Sequence, residues 1–276
     1  MERSFMMEKN ISIKNQNYSY EISAVLNIPD SINNSGFPAV ILCHGTGSHK
    51  DEVGDMFVHL SKILAKKGIA SIRFDFAGCG DSSAQQQDLT FYGEVSDTEK
   101  VYNYLCQHQS IKSNNIGILG FSQGARVMAE FLGNHSEEIK VAVSLSGACH
   151  NGEGVFQGWF KEYYDEINKK GYAKIPMLWR DDLILSKEWF DEIQESSPMD
   201  ELSHYTGAIL AVSGTEDVLV PYEHAQEIVN ACRKSAVQKT QVIEDADHTF
   251  NILEEDKHYA NDVVNDVTEW IEKYIS

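Results

Sequence analysis

Gly120-Phe121-Ser122-Gln123-Gly124 is the one G-x-S-x-G run in the chain. It follows the apolar stretch Ile116 to Leu119 and opens a helix-period segment at Gln123. A serine between two glycines at a strand-to-helix turn is the setting of an activated nucleophile in acyl transfer. The glycines permit a sharp turn and close packing, and Ser122 is expected at the strained tip. The helix that follows points its first N–H groups at the reacting centre.

A serine hydroxyl is a weak nucleophile at neutral pH and needs a base, which in turn needs an orienting carboxylate. Ten histidines compete for the first role. His248, in Asp245-Ala246-Asp247-His248-Thr249-Phe250, lies after the last expected strand and before the last helix. That places it on the strand-end rim that also carries the serine. His204, His224 and His258 fall on or beside helices or in the exit of an aromatic segment. The carboxylate is sought between Ser122 and His248 in chain order. Asp217, in Gly214-Thr215-Glu216-Asp217, follows the apolar run Ala208 to Val212 and is favoured, with Glu216 and Asp247 as rivals.

Acyl transfer also needs N–H donors for the developing oxyanion. The main chain of Gln123, next after the serine, offers one. The second is expected from Cys43-His44-Gly45-Thr46-Gly47, after the run Ala39 to Leu42, with Thr46 as donor. His44 is read as a structural residue of that loop. The Gly78-Cys79-Gly80 loop lacks G-x-G-x-x-G spacing, and neither a P-loop nor H-E-x-x-H occurs.

Strands are expected at Tyr18–Ile28, Ala39–Cys43, Ile69–Phe74, Ile116–Leu119, Val141–Leu145, Ala208–Val212 and Thr240–Ile243, with a partner at Ile11–Lys14 for the first. Helices are expected at Phe57–Lys67, Thr90–His108, Gln123–Leu132, Tyr222–Cys232 and Tyr259–Tyr274. This alternation predicts an α/β fold with a mostly parallel sheet flanked by helices.

One segment breaks the rhythm. Residues 149–205 hold ten of the 28 aromatics and three of the four tryptophans. A helix through Phe156 to Ile167, a hairpin across Arg180-Asp181-Asp182 and a helix from Ser186 to Glu195 are expected there. The segment is read as an inserted cap on a core of residues 1–148 and 206–276, with Trp159, Trp179 and Trp189 as candidate walls of a substrate pocket.

Lys plus Arg number 23 against 42 Asp plus Glu, a formal charge of −19. That balance disfavours nucleic acid and anionic membranes as partners. The five cysteines are scattered and form no C-x-x-C pair, so neither a disulfide framework nor a metal cluster is expected. Reduced thiols and the absence of a signal-like apolar run give a cytoplasmic expectation.

The set HGTG, DFAGCGDSS, GFSQG, GTEDVLVP and DADHTF, in that order, resembles the α/β-hydrolase superfamily across nearly the whole chain. The GFSQG elbow, the GTEDVLVPYE segment and the insertion resemble the bacterial cinnamoyl/feruloyl esterases. The resemblance implies a serine esterase whose lid, inserted after the sixth core strand, shapes a pocket for an aromatic acyl group. Carried over by motif, Ser122, Asp217 and His248 form its triad, and Thr46 and Gln123 its oxyanion hole. Thr46 stands where a bulky aromatic often follows the HG dipeptide. The expectation is a carboxylesterase working through an acyl-enzyme on a small-molecule ester, without metal or organic cofactor; a homodimer is allowed. A peptidase or thioesterase remains open on the same scaffold, and a non-catalytic binding protein is disfavoured because no triad member is missing.

Overall fold

A computed structural model of the chain describes residues 6–31, 33–151, 154–177 and 180–276. Two ten-residue strands, β1 (Met6–Asn15) and β2 (Tyr20–Pro29), form an antiparallel hairpin. β3 (Phe37–Cys43), β4 (Ala70–Phe74), β5 (Ile111–Phe121), β6 (Ile139–Leu145), β9 (Ala208–Gly214) and β10 (Val237–Ile243) complete an eight-stranded sheet. Its order is β1-β2-β4-β3-β5-β6-β9-β10. From β4 to β10 every pairing is parallel, while β2 meets β4 antiparallel. Parallel pairing brings the carboxyl ends of β3, β5, β9 and β10 to one rim.

The central strands are buried on both faces, which is why they read as continuous apolar runs. Alternate residues of β3 serve different layers. Val40 and Leu42 pack with Phe57, Leu60 and Leu64 of α1 (Met56–Lys66) and with Val263 and Ile271 of α8 (His258–Tyr274). Ala39, Ile41 and Cys43 face the other layer, built from α2 (Phe91–Gln107), α3 (Gln123–Asn134) and α7 (His224–Ala231). Thr90 caps α2 by accepting the Gly93 N–H at 3.0 Å.

Between β6 and β9 lie α4 (Gly154–Lys170), an antiparallel hairpin of β7 (Tyr172–Ile175) and β8 (Leu183–Ser186), α5 (Lys187–Glu195) and the one-turn α6 (Pro198–Glu201). Ser186 caps α5 by accepting the Trp189 N–H. Trp189 is fully buried, edge-on to Phe190 and 6.2 Å from the partly buried Trp159. Its ring packs the interior of this segment rather than facing an open cavity. Trp179 lies outside the described residues. Among the described residues, no helix is long and apolar enough to cross a membrane.

The sequence expectations locate the core elements, with the first hairpin partner, β5 and β10 each longer than the expected runs. Ile11–Lys14 lies in the second half of a full partner strand, whose first half is exposed and polar from Glu8 to Asn10 and so carries little apolar signal.

Candidate active site

Four of the residues singled out by sequence lie on loops at the same rim. Thr46 follows β3, Ser122 follows β5, Asp217 follows β9 and His248 follows β10. Ser122 sits at φ 53°, ψ −118°, outside the regions that side chains favour. Its N–H donates to Leu145 O at 2.8 Å, and its carbonyl accepts from Ala125 and Ala148 N–H. These bonds hold the turn in place against its backbone cost. The flanking glycines are required by close approach. A Cβ on Gly124 would lie 2.0 Å from Cys43 O, and one on Gly120 would lie 2.3 Å from Gly124 O.

His248 Nδ1 and Asp217 Oδ2 are 2.7 Å apart, with the Asp217 carboxylate fully buried. The other Asp217 oxygen accepts the N–H groups of Leu219 and Val220, both at 2.9 Å, so the carboxylate is anchored by its own turn. Of the rivals, Glu216 is exposed, and Asp247 spends Oδ1 on Thr249 and Asn251 within the histidine's loop. The His248 loop is fastened to β6 through Ser146, whose Oγ donates to His248 O at 2.8 Å. The imidazole lies 5.2 Å from the ring of Phe121, the residue before Ser122. Among the described residues, Ser122 Oγ makes no hydrogen bond to this imidazole; free enzymes commonly hold such a pair longer than in the substrate complex.

The Thr46 loop abuts the serine. A Cβ on Gly45 would lie 3.3 Å from Ser122 Cβ. The Thr46 hydroxyl donates to Gln123 Oε1 at 2.5 Å. Gln123 Nε2 donates in turn to Glu94, a buried carboxyl on α2. Burial pushes the Glu94 carboxyl well above the usual carboxylate range, opposed by that Gln123 bond. The loop itself is staked by Glu52, which accepts from Gly45 N–H and from Ser48 Oγ, both at 2.7 Å.

His44 Nδ1 is 2.8 Å from Gly45 O, and its Nε2 accepts the Phe76 N–H at 3.1 Å. That pair of contacts fixes a neutral tautomer protonated at Nδ1, and burial lowers its basicity. The adjacent Cys43 is no rival nucleophile, because burial pushes its thiol up to about 12. His258 opens α8 and pairs with the exposed Asp256.

The insertion is fastened to this rim. Arg180 donates to Gly47 O, Ile184 N–H to Gln86, and Tyr92 N–H to Glu192. Arg126 of α3 is fully buried and donates to Asn151, to Ile193 O and to Ser196 Oγ. Burial pulls its guanidinium down to about 10. Sequence reading missed Glu94 and Arg126, since charged residues on amphipathic helices ordinarily face water. The one available signal was their place among the first turns of α2 and α3, the helices packed behind the elbow.

A mostly parallel sheet, a strained serine between β5 and α3, and a carboxylate–imidazole pair at the same rim define an α/β-hydrolase fold. The chain belongs to the prolyl oligopeptidase family (Peptidase_S9), whose model matches residues 56–276. Among solved structures, Est1E from Butyrivibrio proteoclasticus with ferulic acid bound superposes with a TM-score of 0.75 at 22% identity, over 96% of this chain and 99% of that one. The Pyrococcus furiosus esterase Pf2001 gives a TM-score of 0.65 at 18% identity, over 98% and 94%. Human acyl-coenzyme A thioesterase 1 is 27% identical over 150 residues, 50% of this chain. The mouse peroxisomal succinyl-coenzyme A thioesterase is 29% identical over 119 residues, 42% of this chain. The chain spans 32% and 25% of the length of these two relatives.

Proposed function

We propose that the protein is a serine hydrolase that cleaves carboxylic esters through an acyl-enzyme. The observation that carries this reading is the 2.7 Å pairing of His248 Nδ1 with the buried Asp217, beside the strained turn of Ser122. Asp217 keeps the Nδ1 proton on the imidazole and leaves Nε2 as the base. Ser122 Oγ attacks the ester carbonyl while His248 takes its proton. The oxyanion receives the N–H groups of Thr46 and Gln123. His248 then protonates the departing alcohol. It next draws a proton from water, which attacks the acyl-serine and releases the acid.

Residues 149–205 act in this reading as a cap over the rim, because the β7–β8 hairpin rests on the Thr46–Gly47 loop through Arg180 and Leu183. The ferulic acid held by Est1E makes cinnamoyl and feruloyl esters, with other aryl and short-chain esters, the first substrates to try. Of the tryptophans weighed as pocket walls, Trp159 on α4 is partly buried and is kept in this reading as a candidate to meet the acyl group. The coenzyme A thioesterases among the relatives and the peptidase family name favour thioesters and peptides as the second reading. Scattered thiols, four of them buried, support a cytoplasmic setting.

The test is a parallel assay of methyl ferulate, short-chain nitrophenyl esters, acyl-coenzyme A and aminoacyl anilides. Esters are expected to turn over with the highest kcat/KM. A fluorophosphonate is expected to label Ser122, and Ser122→Ala to lose roughly 10^4-fold or more in kcat with its fold intact. Wild-type turnover by that variant removes the serine from the mechanism, and a preference for thioesters or anilides replaces the ester reading.

A further inference from the structure

Outside the serine centre, His150, His224 and Glu227 converge. One ligating atom from each lies within 4.8 Å of the other two. His150 lies between β6 and α4, at the start of the inserted segment. His224 and Glu227 are three residues apart on α7 and so share one helix face. The two imidazole rings are 4.2 Å apart between centroids, and His150 Nε2 is 2.7 Å from a Glu227 carboxylate oxygen. His224 is buried, while the Glu227 side chain is half-exposed.

We propose that His150, His224 and Glu227 form a binding site for a divalent transition metal of the zinc class. Two imidazole nitrogens and one carboxylate oxygen are a ligand set that zinc takes readily, and one that calcium and magnesium, which prefer oxygen, do not. A tetrahedron with metal–ligand bonds of about 2.0–2.1 Å has edges near 3.3 Å. His150 Nε2 and the Glu227 oxygen stand at 2.7 Å, and the three ligating atoms all lie within 4.8 Å of one another. His150 and Glu227 need to part by only about half an ångström, which rotation of the half-exposed Glu227 side chain supplies. On binding, the metal takes the lone pair of the His150 ring nitrogen beside Glu227. A neutral imidazole keeps its one proton on the other nitrogen, and a protonated one releases a proton to solvent. The buried imidazole forms the floor and the exposed carboxylate the entrance, leaving a fourth position for water. The chain's formal charge of −19 draws cations toward it. The sequence expectation of no metal rests on the lack of a compact motif, and it could not see this trio, because His150 and His224 meet only through the fold.

The test uses the tag-free full chain, stripped by chelator and titrated with Zn²⁺ and, as a spectroscopic stand-in, Co²⁺. One metal per chain is expected by equilibrium dialysis, with the intense visible absorption of four-coordinate Co²⁺. His150→Gln and Glu227→Gln, whose side chains are partly exposed, are each expected to weaken binding by about tenfold or more. They are also expected to abolish the rise in Tm that Zn²⁺ gives the parent. Circular dichroism establishes that both variants are folded. Failure of the parent to hold a stoichiometric metal overturns the proposal. So does equal binding by both variants, which places the metal on other histidines.

Discussion

Thr46 Oγ1 donates a 2.5 Å hydrogen bond to Gln123 Oε1, tying the loop after β3 to the first residue of α3. Gln123 passes the link on to the buried Glu94. The two residues proposed as oxyanion donors are therefore tied to each other by their side chains. Thr46→Val keeps the N–H and removes the tie. One lost hydrogen bond of about 1 kcal/mol corresponds to a kcat reduced by roughly five- to tenfold, with KM little changed. Thr46→Ser restores the hydroxyl and is expected to recover most of the loss. Steady-state kinetics on a nitrophenyl ester distinguishes the three proteins.

Asp217 has two duties on two oxygens: one meets His248 and the other holds the turn at Leu219 and Val220. Asp217→Asn can keep the turn by placing its carbonyl oxygen there. Its amide then faces Nδ1 and forces the imidazole into the wrong tautomer. A kcat loss of about 10^4-fold is expected. The thermal midpoint is expected to move far less than in Asp217→Ala, which loses the turn as well. Kinetics and calorimetry on the pair separate the two roles.

Glycines in this chain are not equivalent. Gly124→Ala would drive a methyl group into Cys43 O, and the expected outcome is a protein that does not fold to a soluble form. Gly158, inside α4, is exposed and has no atom within 4 Å of a new Cβ. Gly158→Ala is expected to raise stability by about 0.5–1 kcal/mol, read from denaturant midpoints.

Asp97 is buried on α2, and its burial raises the carboxyl to about 7, against hydrogen bonds from Asn15, Tyr20 and the Ala77 N–H. An unfolded aspartate titrates near 4. Between about pH 4 and pH 7 the folded state thus holds a proton that the unfolded state releases. The contribution is fully present below pH 4 and is lost as pH rises toward 7. Asp97→Asn cannot titrate and lacks this slope. The stability advantage of the parent over the variant is expected to shrink across that window, as followed by urea denaturation at each pH.

Much of this was legible from residue order alone. Strands buried on both faces advertise themselves as apolar runs, and a parallel sheet fixes which ends of them meet. Ser122, Asp217 and His248 could therefore be placed on one rim before any coordinates. What stayed hidden depends on contacts between distant elements. Glu94 and Arg126 look like surface charges on amphipathic helices, yet each is buried because a partner from elsewhere satisfies it. The aromatics between β6 and β9 were visible, but nothing in their order separates Trp189, which fills the segment's interior, from a residue that lines a cavity. The choice of Asp217 over Glu216 rests on a turn only one residue wide, which spacing alone does not resolve.

Arg126 grows from the helix that begins at the serine turn, and its guanidinium ends among Asn151, Ile193 and Ser196. A relative that exchanged this insertion for another of different length would inherit the cation without its acceptors. The transplant succeeds only if the incoming segment brings oxygens of its own to that spot, or if the arginine changes with it. One side chain thus couples the part of the molecule freest to diversify to the part least able to, and it marks where a designed chimera should be spliced.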